Sequence, residues 1–121
     1  MAFGSTATIT INAVGKVLKR INQDNYGSEY YLRNALDEYR MFIRHSKEAR
    51  QADGRYFDRH NVEINHIVFP TSTAPLITRQ TYIVNRTLNN DDLTNAGYLF
   101  AGAIDYIDDS TVQSDLLTWQ S

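Results

Sequence analysis

The sequence predicts an α+β protein: an N-terminal β-hairpin and an antiparallel sheet, six to seven strands in all, followed by two C-terminal α-helices. Three observations lead there. Everything before Leu88 lacks helical period and is rich in Tyr, Ile, Val and Thr, which suit a pleated surface. Turn-forming clusters cut that part into strand-length pieces. The stretch from Asn90 to Asp109 instead places Leu93, Ala96, Phe100, Ala103, Ile104 and Ile107 on one helical arc, with Leu99 and Tyr106 at its edge and Thr94, Asp105 and Asp108 pointing away.

In chain order, Thr6 to Asn12 alternates strictly, with Ala7, Ile9 and Ile11 on one side. Asn12 to Gly15 supplies a turn, and Lys16 to Asn22 returns with a weaker alternation that sets Val17 and Ile21 against Lys16 and Arg20. Residues 1–23 therefore read as the N-terminal hairpin. Asp24 to Gly27 is a second turn and Ser28 to Asn34 a third strand, with Ala35 to Glu38 a connection or a single helical turn. Tyr39 to Lys47 sends Tyr39, Met41 and Ile43 to one face and Arg40, Phe42, Arg44 and Ser46 to the other. Asp53-Gly54 is a turn signal before a long strand from Arg55 to Phe69, in which Val62, Ile64, His66 and Val68 share a side against Asn61, Glu63, Asn65 and Ile67. Pro70 to Pro75 cannot continue a ladder, because proline lacks the donor. Ile77 to Thr87 resumes as a strand whose facing stays open, since Tyr82 and Val84 compete with Thr81 and Ile83 for the core. Asn89 or Asn90 is the expected cap of the long helix, with Asp91 and Asp92 suiting its positive end. Ser110 with Gln113 reads as a capping box opening a short helix with Val112, Leu116, Leu117 and Trp119.

Composition bounds what this chain can be. Its 121 residues make one domain (1–121), with the sheet over 28–87, a loop at 70–76 and helices over 90–121. With 42% hydrophobic and 21% charged residues it is an ordinary folded chain, and no window reaches membrane-span length. Met1 to Thr8 has neither the basic head nor the apolar run of a signal peptide, so the expectation is a protein kept or assembled in the cytosol. The absence of cysteine removes disulfides, thiolate nucleophiles and thiolate metal sites.

The net charge of −2 hides an asymmetry. All 12 Lys and Arg lie between Lys16 and Arg86 beside eight acids, whereas residues 87–121 hold six Asp and no base. If the acidic helices cover one face of the sheet, the opposite face is where a polyanion can meet the excess positive charge. There, Arg40 and Arg44 flank the Phe42 ring, an arrangement in which guanidinium forks fit phosphate oxygens and rings stack bases. A small sheet with a free edge and a face that two helices do not fully cover suggests a symmetric dimer that continues the sheet and lays each helix on the partner's strands.

This order of elements resembles the coat proteins of the single-stranded RNA bacteriophages. The resemblance covers nearly the whole chain. It rests on Tyr39-Arg-Met-Phe-Ile-Arg44 as central strand, Ile67-Val-Phe-Pro70 entering the loop, and Tyr82-Ile-Val-Asn85 running through Asn89-Asn-Asp-Asp92 into the long helix. It implies an interlocked homodimer with one continuous sheet, with Leu93, Ala96, Phe100, Ile104, Ile107 and Trp119 at the dimer interface. It implies further an icosahedral shell around single-stranded genomic RNA, assembled in the bacterial host cytoplasm. The inner sheet face would grip an RNA stem-loop and so repress replicase translation, through Arg40, Phe42, Arg44 and Ser46, with Asn61, Glu63 and Asn65 beside them and Thr78, Gln80 and Tyr82 completing the patch. The loop Pro70, Thr71, Ser72, Thr73, Ala74, Pro75 and Leu76 would adapt between dimers. Glu63 is a departure on a phosphate-binding surface, and without cysteine no disulfide can join the loops.

Other classes are a small dimeric RNA-binding regulator that builds no shell, and an enzyme using Asp58 with His45, His60 and His66 in a cleft. The histidines lie on different strands at no ligand spacing, so neither a metal site nor a cofactor is expected. His66, on the predicted core face, reads as a hydrogen-bonded histidine. No membrane or small-molecule partner is expected.

Overall fold

The structure, a computed structural model, describes residues 3–120; Met1 and Ala2 of the predicted hairpin segment and Ser121 of the helical segment lie outside the described residues. Six strands, β1 (Thr6–Ile11), β2 (Val14–Gln23), β3 (Gly27–Arg33), β4 (Asp37–Lys47), β5 (Phe57–Val68) and β6 (Ile77–Leu88), form one antiparallel sheet in sequence order. Two helices follow, α1 (Leu93–Ile107) and α2 (Ser110–Leu117). The predicted class is the observed one, with the lower of the two strand counts.

Each turn has a local cause. Asn12 and Ala13 sit at φ 51° and 63° and join Ile11 directly to Val14, which starts β2 earlier than the alternation suggests. Asp24 closes the next turn by accepting from the Tyr26 amide at 2.8 Å. Asn34 closes the third on Asp37 through both its backbone and its side-chain amide, at 2.8 and 3.0 Å, so no helical turn forms over 35–38 and β4 begins at Asp37. Asp53 accepts from the Arg55 amide at 3.0 Å beside Gly54 at φ 85°, which holds Arg55 in the turn and delays β5 to Phe57. The segment from Pro70 to Leu76 is irregular as expected, closed by Thr71 N donating to Ala74 O at 2.8 Å.

One face of the sheet is packed. Leu18, Tyr30, Tyr39, Met41 and Ile43 are buried there, with Ala7, Ile9, Leu32, Val62 and Ile64 against them. The facing predicted for β4 and β5 holds, and that predicted for β2 does not. Leu18 is fully buried, while Val17 and Ile21 are 48% and 55% exposed. The pairing Ala7↔Leu18 sets this phase, and an extra residue at Ile21, between the pairs Arg20↔Tyr30 and Asn22↔Glu29, bends the strand. Lys16 and Arg20 share the packed face but keep their charged ends outside the core: the Lys16 ammonium lies 5.7 Å from the Tyr39 ring centre, and Arg20 donates to the Phe3 carbonyl at 3.0 Å. The Tyr30 hydroxyl donates to Gly4 O at 2.6 Å, so the N-terminal end of the sheet curls over its own packed face.

The helices differ from expectation at their ends. Asp92, rather than Asn89 or Asn90, caps α1, accepting from Thr94 N at 2.9 Å, and Asn89 instead accepts from Tyr56 N at 3.2 Å. Asp109 caps α2 through Thr111 N and Val112 N, so the Ser110–Gln113 capping box is not formed; the Gln113 side chain donates to Ile107 O and ties the two helices together. Trp119 lies past the end of α2, 95% exposed. No residue of either helix is buried. The least exposed large side chains of α1 are Phe100 and Ile104, on the predicted arc, and Phe100 lies beside His60 and Thr87 of the sheet. Between helix and sheet runs a cleft of about 270 Å³, with His60, Asn85 and Thr87 on one wall and Leu93, Ala96 and Phe100 on the other.

Candidate nucleic-acid interface

Strand pairing turns the period-two pattern into rows across the open face. One row runs Lys19, Tyr31, Arg40, Asn65, Gln80. The next runs Asn22, Glu29, Phe42, Glu63, Tyr82, and a third Gly27, Arg44, Asn61, Val84. Thr78 lies in the row of Arg33, Glu38 and Ile67, and Ser46 in the row of Arg59 and Arg86. All ten residues singled out on β4, β5 and β6 therefore share one face, and the open question of β6 is settled: Thr78, Gln80, Tyr82 and Val84 face away from the core.

On this face three arginines lie over aromatic rings. Arg44 sits 4.3 Å from the Phe42 ring centre, Arg40 4.6 Å from Tyr31, and Arg86 3.9 Å from Phe57. Each is also held by a carboxylate. Arg40 pairs with Glu29, Arg44 with Glu63 at 3.0 Å, and Arg86 with Glu48 at 2.7 Å. The Asn65 amide donates to Glu63 at 2.7 Å and, with Arg44, holds that carboxyl below the usual carboxylate range against the opposing effect of burial. Such pairing holds each guanidinium over a ring, leaving its remaining N–H donors and its outer surface available. Among the described residues, the buried amide oxygens of Asn61 and Asn65 have no hydrogen-bond partner.

Several members of this face escape a strand-by-strand reading. Arg59 and Arg86 follow from continuing the β5 phase and its pairing. Tyr31, Glu29 and Lys19 could be found only from the register of β2 and β3, because a one-residue bulge breaks the alternation there.

The histidines sit on the packed side. His66 stacks on Tyr39 and bonds Asp37 at 2.9 Å, the hydrogen-bonded histidine the sequence suggests. His45 and His60, unrelated by sequence spacing, are brought together by pairing, with Nδ1 atoms 3.0 Å apart. Among the described residues, no group of three or more His, Asp or Glu is placed to hold a metal ion. Asp58 pairs with Lys47 across the strands.

Residues 4–88, the whole of the sheet, match the family described as phage phiCb5, coat protein. The chain belongs to the phage phiCb5 coat protein family. It is thus a structural protein of the virion, and the matched region of this coat protein ends at Leu88, the last residue of β6. No curated protein gives a significant match to it.

Proposed function

We propose that this coat protein dimerises through its helices and the free edge of β6, and that the dimers assemble into an icosahedral shell around single-stranded RNA. The observation that carries this reading is the division of the sheet into two unlike sides. One side holds an unburied helical pair beside an open strand edge, which in water calls for cover by another apolar surface. The other side holds planar cations stacked on rings and amide groups in rows, the chemistry that takes up phosphates and splayed bases. A second copy laying α1 into the cleft beside β6 would bury Leu93, Ala96, Phe100, Ile104 and Ile107, and would extend the sheet across the two-fold axis.

In this reading the open face turns inward and binds an RNA stem-loop through Arg40, Phe42, Arg44 and their row partners, Ser46, Asn61, Glu63, Asn65, Thr78, Gln80 and Tyr82. Pro70 to Leu76 forms contacts between dimers, and assembly takes place in the bacterial host cytoplasm. Stem-loop binding on this face would also repress translation of the viral replicase. The phage would be of the single-stranded RNA type, in line with the order of strands and helices.

Electron microscopy and sizing of the recombinant protein test the shell. Uniform closed particles that protect RNA from nuclease are expected; a dimer that stays a dimer in the presence of RNA would instead mark a regulator that builds no shell.

A further inference from the structure

At the β2–β3 end of the open face lies a recess of about 340 Å³, the lower end of the range for pockets that hold a small molecule. Its walls are unlike the rest of the face. Asp24 and Glu29 line it together, with the Asn22 amide, the Phe42 ring, and Arg44 at one side. Asp24 commits Oδ1 to the Tyr26 amide and Glu29 commits Oε2 to Arg40; among the described residues, their second oxygens accept no hydrogen bond. The Tyr26 ring stands at the recess, 66% exposed. Gly27 keeps that wall free of a side chain, and a Cβ there would lie 2.9 Å from the Ile43 carbonyl oxygen.

We propose that this recess binds a single guanine base of the RNA, an inference that rests on the open face being the RNA-facing one. Two carboxylates repel a phosphate, so the backbone stays over the arginine rows and only a base can enter. A carboxylate only accepts, and guanine alone among the four bases presents two adjacent donors, N1–H and the N2 amino group, on its Watson–Crick edge. Adenine offers one amino group beside a lone pair, cytosine the same, and uracil one N–H between two carbonyls, so each sets an acceptor against a carboxylate oxygen. The N–H groups that Arg44 does not use on Glu63 suit the guanine acceptors O6 and N7, and the Tyr26 ring and the outer surface of the Arg44 guanidinium give planes on which the base stacks.

The test is binding of short oligouridylates carrying one central guanine, adenine, cytosine or inosine to the full-length protein, by fluorescence anisotropy. The guanine oligomer is expected to bind about tenfold tighter than the plain oligouridylate, the scale of one bidentate base contact, with inosine between because it lacks the N2 amino group. Asp24→Asn keeps an oxygen for the Tyr26 amide, so the turn survives. Asp24→Asn combined with Glu29→Gln should erase the guanine advantage while oligouridylate still binds. Equal affinity for every central base, or a guanine preference untouched by both substitutions, overturns the recess assignment and leaves RNA binding on the face standing. Failure of every oligomer to bind would overturn the RNA-facing assignment itself, and this inference with it.

Discussion

Tyr39 and His66 stack face to face across β4 and β5, ring centres 4.3 Å apart and planes 1° from parallel. Arg79 donates to His66 Nδ1 at 3.2 Å; arginine has no acceptor, so the ring's proton sits on Nε2 and goes to Asp37 Oδ2 at 2.9 Å. Asn34 and His66, in that order, hold the Asp37 carboxyl below the usual carboxylate range, while burial works in the opposite direction. A carboxyl depressed in this way stabilises the fold above its unfolded value, about pH 4, and that stabilisation is lost as pH falls through the folded value. Asp37→Asn should therefore cost about 1 kcal/mol at neutral pH. The cost should shrink below about pH 4 as the native carboxyl protonates, which urea unfolding of disassembled protein at several pH values would measure.

Replacing Arg40 and Arg44 with Ala removes two stacked cations from the open face without touching the packed one. RNA retained in purified particles should fall, and the slope of log affinity against log salt should flatten by about 1.4 to 1.8, two phosphate contacts' worth. Dimers should persist. Unchanged RNA content would remove these residues from the RNA contact and leave the capsid role intact.

Glu63→Gln acts in the other direction. It keeps the shape and a hydrogen-bond partner for Asn65 but removes the charge that pairs with Arg44 at 3.0 Å. Affinity for plain oligouridylate should rise several-fold at low salt and converge with the parent at high salt. A fall in affinity would mean that the RNA needs the Glu63 charge and not only an acceptor oxygen at that position.

Leu18→Ala and Val17→Ala separate the two faces of β2. The first removes a fully buried side chain and should cost about 2 to 5 kcal/mol; the second trims a half-exposed one and should stay within about 0.5 kcal/mol. Denaturant titration reads both, and reversed sensitivities would place the phase of β2 one residue away.

Phe100 is 39% exposed within one subunit, so Phe100→Ala should leave the strand content of the subunit nearly unchanged. The loss, about 3 kcal/mol, should fall on association. Analytical ultracentrifugation at micromolar concentration should show monomer in place of dimer, and a variant that still dimerises and assembles would put the contact on another part of α1.

Much of this architecture was legible residue by residue. Alternation around Tyr39, Met41 and Ile43 showed which way β4 faces, and the proline-bounded stretch from Pro70 marked the irregular loop. Helical spacing from Leu93 to Ile107 picks out an arc that includes Leu93, Ala96 and Phe100, which line the cleft beside the sheet. Ends were less legible, because several neighbouring side chains can cap a helix equally well: Asp92 and Asp109 won over Asn90 and Ser110 only once the preceding turns fixed the backbone. The facing of β2 is hidden in the sequence for a related reason. Lys16, Leu18 and Arg20 form the inward set, and two long cations whose charged ends escape the core look like a solvent face until the sheet curls over them.

By itself the sequence determined the order and type of the elements, the side of β4 and β5 that carries arginine, ring and amide, and the acidic character of the helical end, since each follows from local period, turn chemistry or composition. The tertiary structure alone decided which strands share a row, and with that the pairing of Arg40 with Glu29, of Arg44 with Glu63, and of His45 with His60. Register is a relation between segments far apart in the chain, and a single bulge at Ile21 is enough to shift it, so no window of sequence contains it.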